Sequence, residues 1–239
     1  YYIILLDSIQ KVIEKKEKEA WINLMKVISH ELMNSITPIR SLTQNLNEMM
    51  QQESLSKEDV EDIRDSVSAI IHRSDHLKEF VESYRKLAML PSPNKEKISL
   101  EILLENALKI MNPLLKQQNI HVANTVSFNR WLFIDKNQME QVLINLLTNS
   151  MYALEGKAEK HIEISSEVKN KRVYITISDS GNGIDSAIED KIFLPFFTTR
   201  KDGAGIGLTL SKNIIEAHGG YLNYVSDESK THFTICLME

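Results

Sequence analysis

The sequence predicts a two-domain protein: an all-α helical hairpin followed by an α+β two-layer sandwich. Three observations lead to this prediction. Apolar repeats with spacings of three and four run from about Ser8 to Met49 and from Val60 to Ala88, the proline pair Pro91 and Pro93 follows them, and short β-branched runs then alternate with amphipathic segments. Such a repeat is typical of packed helices, whereas strand-length runs beside helical segments are typical of a mixed sheet. We therefore divide the chain into residues 1–92 and 93–239.

Composition restricts the class of protein. The 239 residues carry a net charge of −5, and 42% of them are hydrophobic. This is the composition of a globular protein, and a negative charge argues against a nucleic-acid binder. No apolar run approaches the roughly 18 residues of a membrane span. The chain does not begin with Met, so we expect it to be a fragment of a longer protein. We expect this fragment to be cytoplasmic and to make no membrane contact, whereas the full-length protein could be anchored through upstream segments. The single cysteine, Cys236, excludes an internal disulfide framework.

The first helix is predicted from an apolar stripe that continues on both sides of residue 30. Around that position the stripe consists of Ile28, Leu32, Ile36 and Ile39. At 100° per residue His30 points away from the stripe, with Glu31 beside it and Asn34 one turn further along the same face. Such a histidine can be a nucleophile with a base and an orienting group, although a solvated His–Glu pair is the plainer interpretation of this stretch alone. Pro38 is predicted to kink the helix about one turn upstream.

The second helix is predicted from a repeat without a missed spacing. Its members are Val60, Ile63, Val67, Ile70, Ser74, Leu77, Val81, Tyr84 and Ala88. The polar residues 51–54 separate this repeat from the first helix, which predicts a helical hairpin. One hairpin cannot bury both stripes, so the natural completion is a homodimeric four-helix bundle.

The remaining elements are predicted from the change in periodicity after Pro93. Strands are expected at residues 98–100, 120–126, 131–134, 162–168, 172–179, 221–225 and 232–237, and helices at 101–118, 136–154, 186–193 and 206–218. The central strand pair and the closing strands predict a mostly antiparallel sheet with helices on one face.

Two carboxamides stand out on the predicted helix 136–154. Asn145 and Asn149 are four residues apart and share a face with Tyr152. A solvated face would favour Lys and Glu, which are better helix formers. Stacked carboxamides suit Mg²⁺, which takes oxygen ligands together with waters and substrate phosphates. A polar surface without a ligand is the alternative.

Two glycine-rich stretches follow. Asp179 ends a strand before Gly181, Gly183 and Ile184, and its carboxylate could accept a hydrogen bond from an exocyclic amine such as that of adenine. A plain strand-to-loop turn with an Asp cap is the alternative there. The second stretch, residues 203–208, leads into a helix and is predicted to cradle an anion. Residues 195–201 between them are predicted to form a mobile lid, in which Phe196 has a structural or docking role.

Together and in this order, these motifs resemble the catalytic core of a sensor histidine kinase of bacterial two-component systems, and the resemblance covers nearly the whole chain. His30 matches the phosphoacceptor box, and residues 193–197 resemble the F box. The N box and the two glycine boxes correspond to Asn145 and Asn149, to Asp179, Gly181 and Gly183, and to Gly203, Gly205 and Gly207. The resemblance implies a dimerisation and phosphotransfer hairpin, then an ATP-binding domain of the gyrase, Hsp90, histidine kinase and MutL type, with the Bergerat fold.

The resemblance also implies a reaction. Adenine would bind at Asp179 and Mg²⁺ at Asn149, with Asn145 assisting, while the second glycine loop covers the phosphates. His30 would attack the γ-phosphoryl group, and Glu31 would accept its proton. The ATP-binding residues are then expected to be Asn145, Asn149, Tyr152, Asp179, Gly181, Gly183, Ile184, Phe197, Thr198, Thr199, Arg200, Lys201, Gly203, Ala204, Gly205, Ile206, Gly207 and Leu208.

The same resemblance implies a protein partner. The phosphoryl group would pass to an aspartate of a response regulator. Asn34, four residues after the histidine, fills the position that orients water for dephosphorylating the regulator in the family. We therefore expect a kinase that is also a phosphatase.

The sequence departs from the family pattern at three positions. Ser35 stands where many relatives have proline, Tyr152 where many have a basic residue near the phosphates, and Leu194 where the F box has an acid. Arg200 and Lys201 are the cations that could substitute at the phosphates. Two other functions compete with a kinase: a pseudokinase scaffold that binds nucleotide without turnover, and an ATPase clamp on the same fold. The histidine-bearing hairpin disfavours the clamp, and the intact N box and glycine boxes disfavour the scaffold.

Overall fold

The structure is a computed structural model that describes residues 2–52, 54–126, 130–200, 203–227 and 229–238. In the first helix, side chains are described at residues 18 and 22 and from residue 25 onwards. The chain divides into two compact units, residues 1–85 and residues 86–239. Within the described ranges, no helix combines the length and the apolar character that crossing a membrane requires.

The first unit contains two long helices, as the repeats predict. Helix α1 spans Tyr2–Met49 and continues through Pro38, and helix α2 spans Lys57–Ala88 and extends past the boundary of the unit. Ser56 caps α2: the backbone N–H of Asp59 donates to the Ser56 hydroxyl at 3.1 Å, and the Asp59 carboxylate accepts from the Ser56 N–H at 2.7 Å. This reciprocal cap fixes the start of the second helix.

The apolar stripe of α1 is partly exposed in the single chain. Ile36 is 48% exposed, whereas its neighbour Ser35 is buried. Positions 28, 32, 35 and 39 keep the spacing of three and four that an apolar seam requires, and a small serine at one of them escapes a search for large apolar residues. On α2, Val67 and Val81 are exposed in the single chain, whereas Phe80 is buried.

The second unit is a mixed α/β sandwich. Its helices are α3 (Leu100–Gln117), α4 (Lys136–Ala153) and α5 (Gly207–Ala217). Its strands are β1 (Glu96–Ser99), β2 (His121–Asn124), β3 (Trp131–Ile134), β4 (His161–Lys169), β5 (Arg172–Asp179), β6 (Tyr221–Ser226) and β7 (Thr231–Met238). The main sheet has the order β2-β4-β5-β7-β6, in which only β2 and β4 run parallel, and β1 pairs with β3 in a separate antiparallel ribbon.

One prediction in this unit is wrong. Residues 186–193 do not form an α-helix; the segment contains a single 3₁₀ turn, Glu189–Lys191. Ile188 and Ile192, four residues apart, mimic a helical stripe, but both side chains line a cavity at the end of the sheet. The spacing therefore reflects a shared binding surface rather than a continuous helix.

The core lies between the main sheet and the three helices. Alternate residues of β5 are buried, namely Val173, Ile175 and Ile177, as the period of two in a strand requires. They belong to one cluster with the buried face of α4, which includes Val142, Leu143, Leu146 and Leu147. Because α4 and β5 share this core, the residues at the end of each element are held in fixed relation.

The segment that enters the second unit is fastened to it. Leu87 and Leu90 pack against the core, and the Gln138 side-chain amide donates to the Pro91 carbonyl at 2.9 Å. The backbone N–H of Asn94 donates to Asp135 Oδ2, also at 2.9 Å. The proline segment is therefore anchored at the start of α4.

A buried histidine supports that anchor. The N–H of Asp135 donates to His218 Nε2 at 2.9 Å, and His218 Nδ1 lies 2.7 Å from the Ile214 carbonyl, to which it can only donate. The ring is therefore neutral, with its proton on Nδ1. Burial lowers the pKa of His218, with a smaller contribution in the same direction from Lys95 and opposing contributions from the Ile214 hydrogen bond and Asp135.

Candidate active site

A cleft of about 390 Å³ in the second unit collects most of the residues expected to bind ATP. It lies between the C-terminal part of α4, the end of β5 and the start of α5. The expected residues that line it are Asn149, Tyr152, Asp179, Gly183, Ile184, Phe197, Thr198, Thr199, Arg200, Gly205, Gly207 and Leu208. Residues more than 50 positions apart in the chain are thus brought to one cavity by the pairing of the sheet and the packing of α4.

Other expected residues do not line the cleft: Asn145, Gly181, Gly203, Ala204 and Ile206. Lys201 lies outside the described residues. Asn145 has a visible structural role, because its amide donates to the Gly207 carbonyl at 3.3 Å and lies 3.4 Å from the Ser211 hydroxyl. These contacts tie the start of α5 to α4.

The carboxylate of Asp179 is the buried acid of the cleft. Only 3% of the residue is exposed. The Ser150 hydroxyl donates to Oδ2 at 3.0 Å, and the Gly181 N–H donates to Oδ1 at the same distance. Burial raises the pKa of Asp179, and the two hydrogen bonds and His232 oppose that rise. A carboxylate held in this way has lone pairs left to accept a hydrogen bond from an amine of a ligand in the cleft.

Two glycines allow close backbone contacts around the cleft. A Cβ on Gly181 would lie 2.6 Å from the Cβ of Ala153 and 2.7 Å from Asp179 Oδ1. Gly205 has a φ of +66°, and a Cβ there would lie 2.4 Å from the carbonyl carbon of Phe196. Any side chain at these positions would displace the backbone, so both glycines are required sterically.

Arg200 is the described cation of the cleft. Its guanidinium carbon lies 4.2 Å from the centroid of the Tyr152 ring. The Arg200 Nη1 atom is buried and has no hydrogen-bond partner among the described residues. The backbone N–H of Arg200 donates to the Thr198 hydroxyl at 3.0 Å, which fixes the turn that presents the side chain. A buried guanidinium nitrogen without a partner is suited to receive a phosphate oxygen.

The cleft can also accommodate a divalent cation. Asn149 lines it, and the Asn149 side chain makes no hydrogen bond to another described residue. A carboxamide oxygen is a ligand that Mg²⁺ accepts, and Mg²⁺ commonly takes most of its remaining ligands from water and substrate phosphates. Among the described residues there is no cluster of three or more His, Cys, Asp or Glu side chains suited to a metal. Asn149 could therefore supply one oxygen ligand to a divalent cation.

Several cleft residues were not expected from the sequence: Ala153, Asn182, Asp185, Ile188, Ile192, Thr231 and Phe233. Thr231 reaches the cleft because it is the cross-strand partner of Asp179 in the β5–β7 pair. That register is not readable from local periodicity. Asn182 lies within the predicted glycine motif and Asp185 directly follows it, so their position in the chain was the one available signal for them.

The histidine expected to accept phosphate lies in the first unit. The His30 side chain is 75% exposed. Asn34 Nδ2 lies 3.0 Å from His30 Nδ1, and the nearest Glu31 oxygen lies 3.9 Å from the same nitrogen. An amide nitrogen donates, so in this contact Nδ1 accepts and the proton of the neutral ring resides on Nε2. The Glu31 carboxylate is near the ring but beyond hydrogen-bond distance.

Comparison with known proteins agrees with this geometry. Residues 134–239 match the family described as histidine kinase-, DNA gyrase B-, and HSP90-like ATPase. A putative sensor histidine kinase, NtrY-like, of Rickettsia felis is 29% identical over 212 residues, which are 88% of this chain and 35% of that protein. The structure of the Acinetobacter baumannii histidine kinase AdeS is 25% identical, covers 87% of this chain and 97% of the AdeS chain, and superposes with a TM-score of 0.57.

This chain is similar to the catalytic region of sensor histidine kinases. The matched ATPase domain holds α4, β5 and α5, the three elements that frame the cleft. The structure of the histidine kinase ThkA in complex with the response regulator TrrA shares the fold, with a TM-score of 0.65 at 22% identity over 90% of this chain and 61% of that chain. The chain spans between about a third and a half of the length of the curated relatives it matches.

Proposed function

We propose that this chain transfers the γ-phosphoryl group of ATP to His30 and then to an aspartate of a response regulator. The observation that carries the proposal is that the buried Asp179 carboxylate and the Arg200 guanidinium line the same cavity. An acceptor for an amine and a cation for phosphate are complementary to the two ends of a nucleotide. The relationship to sensor histidine kinases gives that nucleotide a use in phosphoryl transfer.

In this proposal each part of the cleft has one task. Asp179 accepts a hydrogen bond from the exocyclic amine of adenine. The glycine loop at residues 203–207 covers the phosphates, and Arg200 meets their charge. Mg²⁺, bound with the nucleotide by Asn149, supplies charge neutralisation at the phosphates. Asn145 holds the loop-bearing end of α5 against α4.

The proposed reaction is an in-line displacement at the γ-phosphorus. A ring nitrogen of His30 forms the N–P bond while the bond from the γ-phosphorus to the β–γ bridging oxygen breaks, and ADP leaves. Attack by Nε2 uses the ring tautomer with the proton on Nδ1, and Glu31, whose nearest oxygen lies 3.9 Å from Nδ1, accepts that proton. His30 has the exposure that such an attack needs, because most of its side chain is open to solvent.

We also propose that the first domain, residues 1–92, dimerises, and that residues 93–239 form the catalytic domain. Four aliphatic side chains along one side of α2 support a homodimer because they stay exposed in the single chain: Val60, Val67, Ile71 and Val81. A second copy of the chain would bury this stripe and complete a four-helix bundle.

The proposed partner is the receiver domain of a response regulator. ThkA has been solved in complex with such a regulator, which supports the same class of partner here. Asn34 is proposed to orient the water that dephosphorylates the regulator. The Asn34 amide lies 3.0 Å from the His30 ring, which supports this proposal.

One experiment tests the central proposal. The purified chain is incubated with γ-labelled ATP and Mg²⁺, and the label is challenged with acid and with base. The expected result is acid-labile, base-stable label that is absent from His30→Gln and retained in His76→Gln, which changes another exposed histidine, on α2. A chain that binds ADP but takes up no label would contradict the proposal and favour a nucleotide-binding scaffold.

A further inference from the structure

We infer that Tyr152 is a positioning residue that holds the Arg200 guanidinium over its ring as the phosphate-binding cation of the cleft. The inference rests on the proposed function, since it assigns a role within the same nucleotide site. Its basis is the contact between these two side chains, 4.2 Å from guanidinium carbon to ring centroid, at a cavity that both residues line.

The geometry of the contact leaves the cation free to bind. A guanidinium attracts an aromatic ring through its face, while its five N–H groups point outward in its own plane. Contact with the Tyr152 ring therefore orients Arg200 without pairing its donors with a hydrogen-bond acceptor. An ion pair with a carboxylate would instead neutralise the charge and use two of those donors. Arg200 Nη1 is buried and has no hydrogen-bond partner among the described residues, so this donor is available to a ligand.

Two further contacts restrict the Arg200 side chain. The turn made by Thr198, whose hydroxyl accepts from the Arg200 N–H, fixes the backbone at the base of the side chain. Gly203 lies so close that a Cβ there would be 3.0 Å from Arg200 Nε. Tyr152 completes the restriction from α4, one turn after Asn149. The cation is thus placed before a ligand arrives, which reduces the conformational entropy lost on binding.

The test measures nucleotide binding rather than phosphorylation. ATP and adenosine are titrated calorimetrically into the wild-type chain and into Tyr152→Leu, Tyr152→Phe, Arg200→Gln and the double variant Tyr152→Leu with Arg200→Gln. Tyr152 is 45% exposed, so its substitution leaves the core intact, and thermal unfolding of each variant verifies this.

The expected result has three parts. Tyr152→Leu weakens ATP binding about two- to fivefold, the range of a partly solvated cation–π contact, and leaves adenosine binding unchanged. Tyr152→Phe binds ATP like the wild type, because the ring and not the hydroxyl holds the cation. Tyr152→Leu has no further effect once Arg200 is Gln, because the two residues act as one unit.

A matched control lies elsewhere in the same unit. Arg172 lies over the ring of Tyr221 at 6.0 Å, at the opposite end of β5 from Asp179. Tyr221→Leu should therefore leave ATP binding unchanged.

Three results would overturn the inference: equal loss of ATP and adenosine binding in Tyr152→Leu, additive effects in the double variant, or a Tyr152→Phe as weak as Tyr152→Leu. A chain that shows the expected coupling but never labels His30 would refute the proposed kinase function alone. A chain that binds no ATP would refute both.

Discussion

The hydroxyl of Ser150 on α4 donates a 3.0 Å hydrogen bond to Asp179 at the end of β5. This bond joins the helix that carries Asn149 to the strand that carries the buried acid. Burial of the carboxylate raises the pKa of Asp179, and the Ser150 hydrogen bond opposes that rise. The acid is therefore kept at the cleft at the expense of folding stability, which leads to the first prediction.

Asp179→Asn should separate binding from stability. A carboxamide presents an NH₂ group where adenine needs an acceptor, so ADP affinity should fall about tenfold to a hundredfold. Because the pKa of Asp179 is raised in the folded state, the ionised acid is destabilising above that pKa, and the free energy of unfolding at pH 7 should increase in the variant. This gain should shrink as the pH is lowered towards the range in which Asp179 takes up its proton. Calorimetric titration with ADP and urea unfolding at pH 7 and pH 5 test both statements. Lower stability at pH 7 would contradict the second.

Asn34→Ala should remove the hydrogen bond that occupies Nδ1 of His30. In the wild type the Asn34 amide donates to Nδ1, which is the ring nitrogen nearest to Glu31. Without it, Glu31 can accept a proton from Nδ1, so autophosphorylation should equal or exceed that of the wild type. Dephosphorylation of the regulator should slow by about tenfold or more, because the water loses its orienting group. Label on His30 and loss of label from the regulator are followed in parallel. A similar fall in both rates would contradict the role assigned to Asn34.

His218 should make the stability of the second unit sensitive to acid. Burial lowers the pKa of this histidine below its usual 6.5, so the unfolded chain binds the proton more readily. The free energy of unfolding should therefore fall as the pH drops below about 6.5 and through the lowered pKa. His218→Gln should flatten this dependence, whereas His121→Gln, at an exposed position on β2, should retain it. Urea unfolding at half-unit pH steps provides the measurement, and an unchanged slope in His218→Gln would refute the assignment.

Two glycine substitutions should differ sharply in their effect on folding. Gly181→Ala places a Cβ 2.6 Å from Ala153, and overpacking of this kind should lower the free energy of unfolding by about 1–3 kcal/mol. Gly207→Ala meets nothing closer than 3.8 Å, so no steric loss of stability is expected. Thermal unfolding of the two variants beside the wild type tests the contrast. Equal melting temperatures for both would show that the loop at Gly181 relaxes freely.

Ile71→Glu should disrupt the proposed dimer. Ile71 is 56% exposed and belongs to the unpartnered aliphatic stripe of α2, so a charge there should raise the dimer dissociation constant about tenfold or more. Ala69→Glu makes the same change two residues earlier, on the opposite side of the helix, and serves as the control. Sedimentation equilibrium measures both. A wild-type monomer, or equal weakening by both substitutions, would contradict the homodimer.

Much of the second unit could be predicted from the sequence because its elements have strong local patterns. Strand β5 ends at Asp179 as expected, and α4 carries the two asparagines on the expected helix. Thr231 and Phe233 were missed as cleft residues because their position depends on pairing between β5 and β7. The spacing of Ile188 and Ile192 predicts a helix where the structure has the 3₁₀ turn Glu189–Lys191. Apolar spacing does not reveal whether such side chains face a core or a cavity.

In the first unit the sequence predicted the helices but not every member of the buried face. Hydrophobicity indicates Ile36 as a member of the apolar stripe, whereas the small, polar Ser35 beside it is the residue that is buried in the single chain. The assignments to adenine, Mg²⁺ and phosphate remain predictions, because they concern groups that the chain binds rather than groups that it contains.

The anchoring of Pro91 and Asn94 has a mechanical consequence. Near the start of α4, the Gln138 side chain donates a hydrogen bond to the Pro91 carbonyl. Asp135 accepts a hydrogen bond from Asn94 and donates one to His218, which directly follows α5. The opposite tips of the same two helices carry Asn149 and Gly207. Tension applied to the segment that enters the second unit would thus be transmitted to helices α4 and α5. Both helices lead to the cleft, so such tension could alter the positions of Asn149 and Gly207.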